Sequence, residues 1–368
     1  MVVEAVSRSA ARPDRRSALS SALPPTVTIG GLATALPRYR VSGDEVLRLI
    51  TQLWPRLERR VSLFADELAE TQRYLVRPVE EALQPLSPSE QAARYATEAT
   101  PLAIAAAQRA LADAGIATDE VGLLVVASCT GFVLPGIDVH LVNHLGLRRD
   151  VRRMPFMHFG CAGGAASLSW ASDWVRSHPG QSALVVAVEV PTLTFRPADT
   201  SADNLLSVLV FGDGAGAAVL HGHGEPGRLS IGRTASRLVA SSTDVLGFER
   251  ADDGFRVVVS RQLPRMIEAN LPDIVRDFVG DARALDAVAA HPGGQAIVDS
   301  VVHCLNLEER QVAATRTVLR RTGNTSSAAI LFVLEALASH LPAPAGRGLA
   351  AAFGPGLTVE LLELLWAT

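Results

Sequence analysis

The chain has 368 residues, 48% of them hydrophobic and 20% charged, with a formal net charge of -4 and a pI near 6.2. A chain of this kind can bury one large core or two similar halves, and it has no basic surplus or run of like charge to meet nucleic acid or a membrane surface. No apolar run reaches the roughly 18 to 20 residues of a spanning helix, so the mean hydropathy of +0.23 reflects buried strands and alanine-rich helices.

The first 25 residues, MVVEAVSRSAARPDRRSALSSALPP, are rich in Arg, Ser and Ala. That is the composition of a transit peptide and of an ordinary disordered extension, and with no organelle implied elsewhere the extension is the expected reading. Arg59 and Arg60, in RLERRVSLF, are read as a solvated helix face. Pro101 to Gly115 has Pro at its start and Gly at its end, which predicts a helix. Val121 to Ser128, Ala183 to Val190 and Ala215 to His221 are near-continuous apolar runs, as expected of strands covered on both faces. Between the first two, Gly164 to Arg176 has a helical pattern.

The second half repeats this order. Leu263 to Val279 predicts a helix, and LDAVAAHPGG then reads as a strand running into a glycine turn, as VGLLVVASCTG does after the earlier helix. RTGNTSSAAILFVLEAL and GLAAAFGPG follow in the places held by HFGCAGGAASLSWASDWV and ALVVAVEV. Cys161 and Asn324 are therefore counterparts in a duplicated α/β unit. Duplication predicts a layered sandwich of residues 26–225 and 226–368, with strand ends converging near a pseudo-twofold axis.

Cys129, Cys161 and Cys304 are too widely spaced for CxxC motifs, and three is an odd number for a disulfide framework. A reducing, cytoplasmic setting follows as an expectation. In FMHFGCAGGAASL, small residues let the backbone turn sharply and bring the Cys161 sulfur to a helix N-terminus, where a neighbouring imidazolium would lower its pKa. His291 ends an apolar strand in AHPGGQA, and Asn324 opens a helix in GNTSS. Singly, each has a structural explanation: a core thiol, a buried imidazole, an N-cap. Duplication brings all three to one region.

The segments GCAGGAASL, HPGGQAIVDSV, GNTSSAAI and FGPGLTVE resemble those of the type III polyketide synthases, the chalcone synthase-like branch of the thiolase superfamily, over roughly Val27 to Trp366. The resemblance implies a thiolase-like α/β/α/β/α sandwich and a catalytic triad of Cys161, His291 and Asn324. It implies an acyl-CoA starter held on Cys161, extension with malonyl-CoA by decarboxylative condensation, and cyclisation. CoA thioesters are then substrates, with no resident cofactor or metal.

By the same resemblance Phe211 stands between CoA tunnel and reaction cavity, and Glu189, Thr194, Cys129 and Thr130 fall on cavity positions. Ala296 matches a backbone contact to CoA. The Gly354-Pro355-Gly356 loop, with the Cys161 N–H, would form a second oxyanion site. Asp213 is read as holding a turn. Leu134 matches a residue that crosses a twofold interface, which implies a homodimer.

Three departures point to the bacterial branch: Val257 where plant members have a gating phenylalanine, Pro191 for a cavity threonine, and Ala162 for an aromatic residue. An initiating ketoacyl synthase shares the triad but differs at HPGG and FGPG. The alternative of another class is a non-catalytic acyl-binding scaffold.

Overall fold

The computed structural model describes residues 25–367 apart from 223, 225, 226, 252 and 253, so the expected extension over 1–25 lies outside the described residues except for its last position. The first half runs β1 (Val27–Ala35), β2 (Tyr39–Ser42), α1 (Gly43–Leu53), α2 (Glu58–Val61), α3 (Ala65–Leu68), β3 (Gln72–Leu75), α4 (Val79–Ala82), α5 (Pro88–Ala114), β4 (Val121–Ala127), α6 (Ile137–Leu145), β5 (Arg152–Phe156), α7 (Gly163–Ser177), β6 (Ser182–Glu189), α8 (Ala202–Val210) and β7 (Gly214–His221). The second runs β8 (Leu229–Leu238), β9 (Leu246–Ala251), β10 (Gly254–Val259), α9 (Leu263–Val279), β11 (Ala287–Ala290), α10 (Gln295–Leu305), α11 (Ala313–Thr322), α12 (Ala329–Ser339), β12 (Ala345–Gly354) and β13 (Thr358–Ala367).

Nine strands form one sheet in the order β11-β12-β13-β8-β1-β7-β6-β4-β5. The repeat is visible in its pairing. Outward from the antiparallel β1–β8 pair, β7 and β6 join antiparallel and β4 joins parallel to β6. On the other side β13 and β12 join antiparallel and β11 joins parallel to β12. β5, parallel to β4, extends the first half by one strand.

Each inner strand is apolar on both faces because each face meets a different helix layer. Leu123, Val125 and Ala127 of β4 enter a central core with α7 and α12, while Leu124 and Val126 pack outward against α5 and α6. In the second half Ala350 and Ala352 of β12 face the central core, whereas Leu349, Ala351 and Phe353 meet α9 and α10. The two half-sheets thus sandwich α7 and α12, with a further helix layer outside each. That is the thiolase-like five-layer arrangement. A fourth core, built on Val41, Val46, Ile50, Leu75, Leu205 and Leu209, caps the end of the sandwich where α7 begins.

One expected element starts much earlier than the sequence reading placed it. The helix ending at Ala114 begins at Pro88 because Ser87 and Glu90 form a capping box: Glu90 N–H donates to Ser87 Oγ at 3.3 Å, and Ser87 N–H to Glu90 Oε2 at 2.9 Å. Pro101 lies inside this helix. It forfeits one backbone bond, but the buried stripe of Tyr95, Ala99, Ala103, Ala106, Ala107 and Ala110 runs on through it.

The two central helices approach closely at Gly164, where a Cβ would lie 2.2 Å from the Ser327 carbonyl oxygen and 2.8 Å from Ile330 Cγ2. Gly164→Val should therefore push α7 off α12 and cost about 3 kcal/mol or more, the upper end of overpacking penalties. Urea unfolding measures this; stability within about 0.5 kcal/mol of the parent would show that the crossing can relax.

Candidate active site

Cys161 sits in the turn Gly160–Ala162 that leads directly into α7. Gly160 has φ 49°, and a Cβ on it would fall 2.7 Å from Pro355 Cδ. A Cβ on Gly354 would fall 2.6 Å from the Phe159 carbonyl oxygen. Both glycines are required because the Gly354-Pro355 loop lies directly on the cysteine turn. The thiol donates to Ser326 Oγ at 3.6 Å, from the turn that precedes α12. The starts of both central helices therefore meet at the sulfur.

Asn324 is anchored by its backbone: its N–H donates to the Val210 carbonyl at 3.0 Å and its carbonyl accepts from Gly212 N–H at 3.1 Å. Its Oδ1 accepts from Ser326 N–H at 2.8 Å, which fixes the amide so that Nδ2 is the free-facing group. Nδ2 makes one long bond of 3.4 Å to the Gly293 carbonyl and also reaches Cys161. His291 follows β11, and its N–H continues the ladder to the Ala351 carbonyl at 2.7 Å. Its side chain is 2% exposed, and among the described residues neither ring nitrogen has a hydrogen-bond partner.

The electrostatics correct one expectation. Burial pushes the Cys161 thiol up to about 11, against opposing contributions from Ser326, Asn324 and its own backbone N–H. Burial pushes His291 down to about 4. Taken one at a time, neither group carries charge at neutral pH, because desolvation outweighs the helix N-terminus. A proton passed from the thiol to the imidazole would put compensating charges on both groups, which an ordinary deprotonation of either one does not.

An apolar cavity opens from the sulfur. Of the expected residues, Thr130, Cys161, Pro191, Thr194, Phe211, Val257 and Pro355 line it. Glu189 does not. It is fully buried behind the wall, accepting from the N–H groups of Cys129 and Thr130 at 3.1 Å and from Thr130 Oγ1 at 2.7 Å, with Ser327 Oγ also bound to it. Cys129 is part of that wall rather than of the lining, its thiol 3.4 Å from Glu189. Gly354 and Gly356 shape the loop and leave the lining to Pro355.

Outside the cavity, Ala296 is exposed in the first turn of α10, and Leu134 is 78% exposed beside Phe132. Arg59 and Arg60 are on a solvated face. Ala162 is fully buried against the Gly354 loop. Asp213 does more than hold a turn, since it binds Val76 N–H at 2.9 Å and Thr192 N–H at 3.1 Å, fastening β3 and the segment after β6 to β7.

Sequence reasoning missed Ser326, although it stands in the quoted GNTSS. It also missed the aliphatic wall of Val46, Leu49 and Ile50 from α1, for which the sequence has no signal beyond helical periodicity.

Signatures of the N- and C-terminal domains of chalcone and stilbene synthases match residues 64–224 and 231–366. The chain belongs to that family. The synthase is 30% identical over 343 residues to 1,3,6,8-tetrahydroxynaphthalene synthase of Streptomyces coelicolor, covering 91% of each chain. It is 31% identical over 358 residues to the α-pyrone polyketide synthase-like Pks18 of Mycobacterium tuberculosis, covering 92% of its own chain and 91% of the relative. The crystal structure of the Streptomyces coelicolor enzyme, a bacterial type III polyketide synthase, superimposes with a TM-score of 0.87 at 29% identity, over 93% of this chain and 99% of that one. That of a polyketide synthase from the brown alga Ectocarpus siliculosus gives 0.83 at 27% identity, over 94% and 100%. The synthase is thus an acyltransferase of the type III polyketide synthase kind, and the ketoacyl synthase and scaffold alternatives give way.

Proton transfer from Cys161 to His291 can be tested by reactivity. In His291→Gln the thiol loses its proton acceptor, so alkylation of Cys161 by iodoacetamide at neutral pH should fall at least about 100-fold and then climb about tenfold per pH unit as far as pH 10. An unchanged rate would show that His291 does not support the thiolate.

Proposed function

We propose that the synthase loads an acyl starter from its CoA thioester onto Cys161 and extends it with malonyl-CoA before cyclisation. A ring nitrogen of His291 takes the thiol proton as Cys161 Sγ attacks the thioester carbonyl, and returns it to the departing CoA sulfur. Malonyl-CoA then loses carbon dioxide, the electron pair of the broken C–C bond forming an enolate. The enolate oxygen accepts hydrogen bonds from His291 and from Asn324 Nδ2. The enolate carbon attacks the acyl carbonyl on Cys161, whose sulfur leaves, so the lengthened chain is carried by CoA and can be reloaded.

The observation that supports this reading is the pinned Asn324 amide beside an unpartnered, buried imidazole. The imidazole has no partner among the described residues and the amide makes only one long bond to a carbonyl, so both can donate to a developing oxyanion. The buried wall around Glu189 and the largely apolar cavity make each donor count for more than it would in water.

The cavity also supports a starter class. Part of its wall is aliphatic, from Val46, Leu49 and Ile50 of α1 and from Leu75, Val79 and Leu83, while Arg73, Arg196, Asp199 and Arg256 also line it. A flexible aliphatic acyl chain fits the aliphatic part of that wall, and we propose it as the starter class. We further propose that CoA thioesters serve as substrates without a resident cofactor, that the exposed Leu134 and Phe132 are covered in a homodimer, and that the enzyme works in the cytoplasm. Among the described residues, no helix is long and apolar enough to cross a membrane.

Asn324→Ala should lower malonyl-CoA decarboxylation by roughly 100- to 1000-fold while leaving starter loading largely intact, because the amide is a donor to the enolate and takes no proton from the thiol. Carbon dioxide release and acyl-enzyme formation measure the two steps; equal losses would misplace Asn324. Val257 lines the cavity opposite Phe248 in the β9–β10 hairpin, so Val257→Phe should shift products to shorter chains with little effect on decarboxylation, at about 1 to 3 kcal/mol per misfit methylene. An unaltered chain-length profile from a series of aliphatic acyl-CoA starters would contradict that placement.

A further inference from the structure

Ser326 has φ 51°, a left-handed backbone that a residue with a Cβ rarely adopts. It is 3% exposed, and its N–H is held by Asn324 Oδ1 at 2.8 Å. From that position its hydroxyl lies 3.6 Å from the Cys161 sulfur and 3.4 Å from the Cys129 sulfur. Cys129 in turn meets Glu189 at 3.4 Å. One strained residue thus places a hydroxyl between two thiols at the end of a buried polar string. Strain of this kind persists where the surrounding structure over-determines it, and here a helical or extended torsion would carry the hydroxyl off the sulfur.

We propose that Ser326 is a positioning residue for the nucleophile: its left-handed backbone aims the hydroxyl at Cys161, holds the sulfur in the attacking position and donates to it once the proton has left. The inference rests on Cys161 being the acyl carrier. In the resting enzyme the thiol donates to Ser326 Oγ; when the proton moves to His291 the bond reverses, and the serine O–H donates to the thiolate. Such a charge-assisted bond is stronger than the neutral one it replaces, so it favours the ionised state. The Cys129 thiol can then turn to Glu189, which leaves the serine hydroxyl to Cys161. Besides the His291 of the proposed mechanism, the titratable groups that act on the Cys161 sulfur are Cys129 and Glu189. Both oppose a thiolate, so the donors Ser326 and Asn324 act against them.

The torsion supplies a variant that separates position from folding. Ser326→Gly removes the hydroxyl and accepts φ 51° without strain, whereas Ser326→Ala removes the hydroxyl and keeps the strain. Iodoacetamide labelling of the full chain is followed between about pH 6 and 10, with the modified cysteine identified by peptide mapping and each variant checked by its melting temperature. Both variants should need a pH at least about one unit higher for the same labelling rate at Cys161, about a tenfold loss at neutral pH, and Ser326→Gly should melt no lower than Ser326→Ala. A folded Ser326→Gly protein with the parental pH profile at Cys161 overturns the proposal and leaves the nucleophile assignment intact. Labelling of another cysteine in the parent protein would instead overturn that assignment.

Discussion

The site depends on the contact between α7 and α12. Two helices buried between the half-sheets can come this close only where Gly164 faces the Ser327 backbone with no side chain between them. Because the helices belong to duplicated units, their N-terminal turns are related by the same pseudo-symmetry as the strands. The turn before one helix supplies the nucleophile, and the turn before the other supplies Asn324 and Ser326. His291 comes from the end of β11, beside β12, whose C-terminal end on the same side forms the loop over the cysteine turn. The fold thus brings turns remote in sequence together around the sulfur.

Burial is the second constraint, and it acts in both directions. Removing water makes each ionised group costly, which is why the thiol and the imidazole rest neutral. It also makes each hydrogen bond to a developing charge stronger than in solvent. The protein meets these conditions by leaving the His291 ring without a hydrogen-bond partner among the described residues while satisfying Glu189 several times over. The first group is available for chemistry. The second stiffens the wall: its contacts to Cys129, Thr130 and Ser327 join β4, β6 and the turn before α12.

Much of this was legible in the sequence for identifiable reasons. Cys161, His291 and Asn324 stand at ends of apolar elements in both repeats, and two-sided strands announce themselves as unbroken apolar runs. Ser326 was not legible as a special residue, because a positive φ at a serine has no sequence signature and arises from the crowding of the turn. The expected acidic thiol failed because the sequence reveals neighbours and dipoles but not depth, and depth decided the shift. Pro101 misled for a similar reason: a proline usually opens a helix, but Ser87 and Glu90 had already capped this one. The reach of α1 into the cavity comes from tertiary packing of the cap, so Ile50 reads in sequence as an ordinary amphipathic position.

The central claim is that a single sulfur, at the meeting point of the two central helices, carries the growing chain. It is tested most directly by mixing the enzyme with an aliphatic acyl-CoA, quenching in acid and locating the acyl mass among the proteolytic peptides. The account predicts one acyl group on the peptide that contains Cys161, lost in Cys161→Ala and retained in Cys129→Ala and Cys304→Ala. An acyl group on the Cys129 or Cys304 peptide, or an undiminished acyl-enzyme in Cys161→Ala, would contradict it.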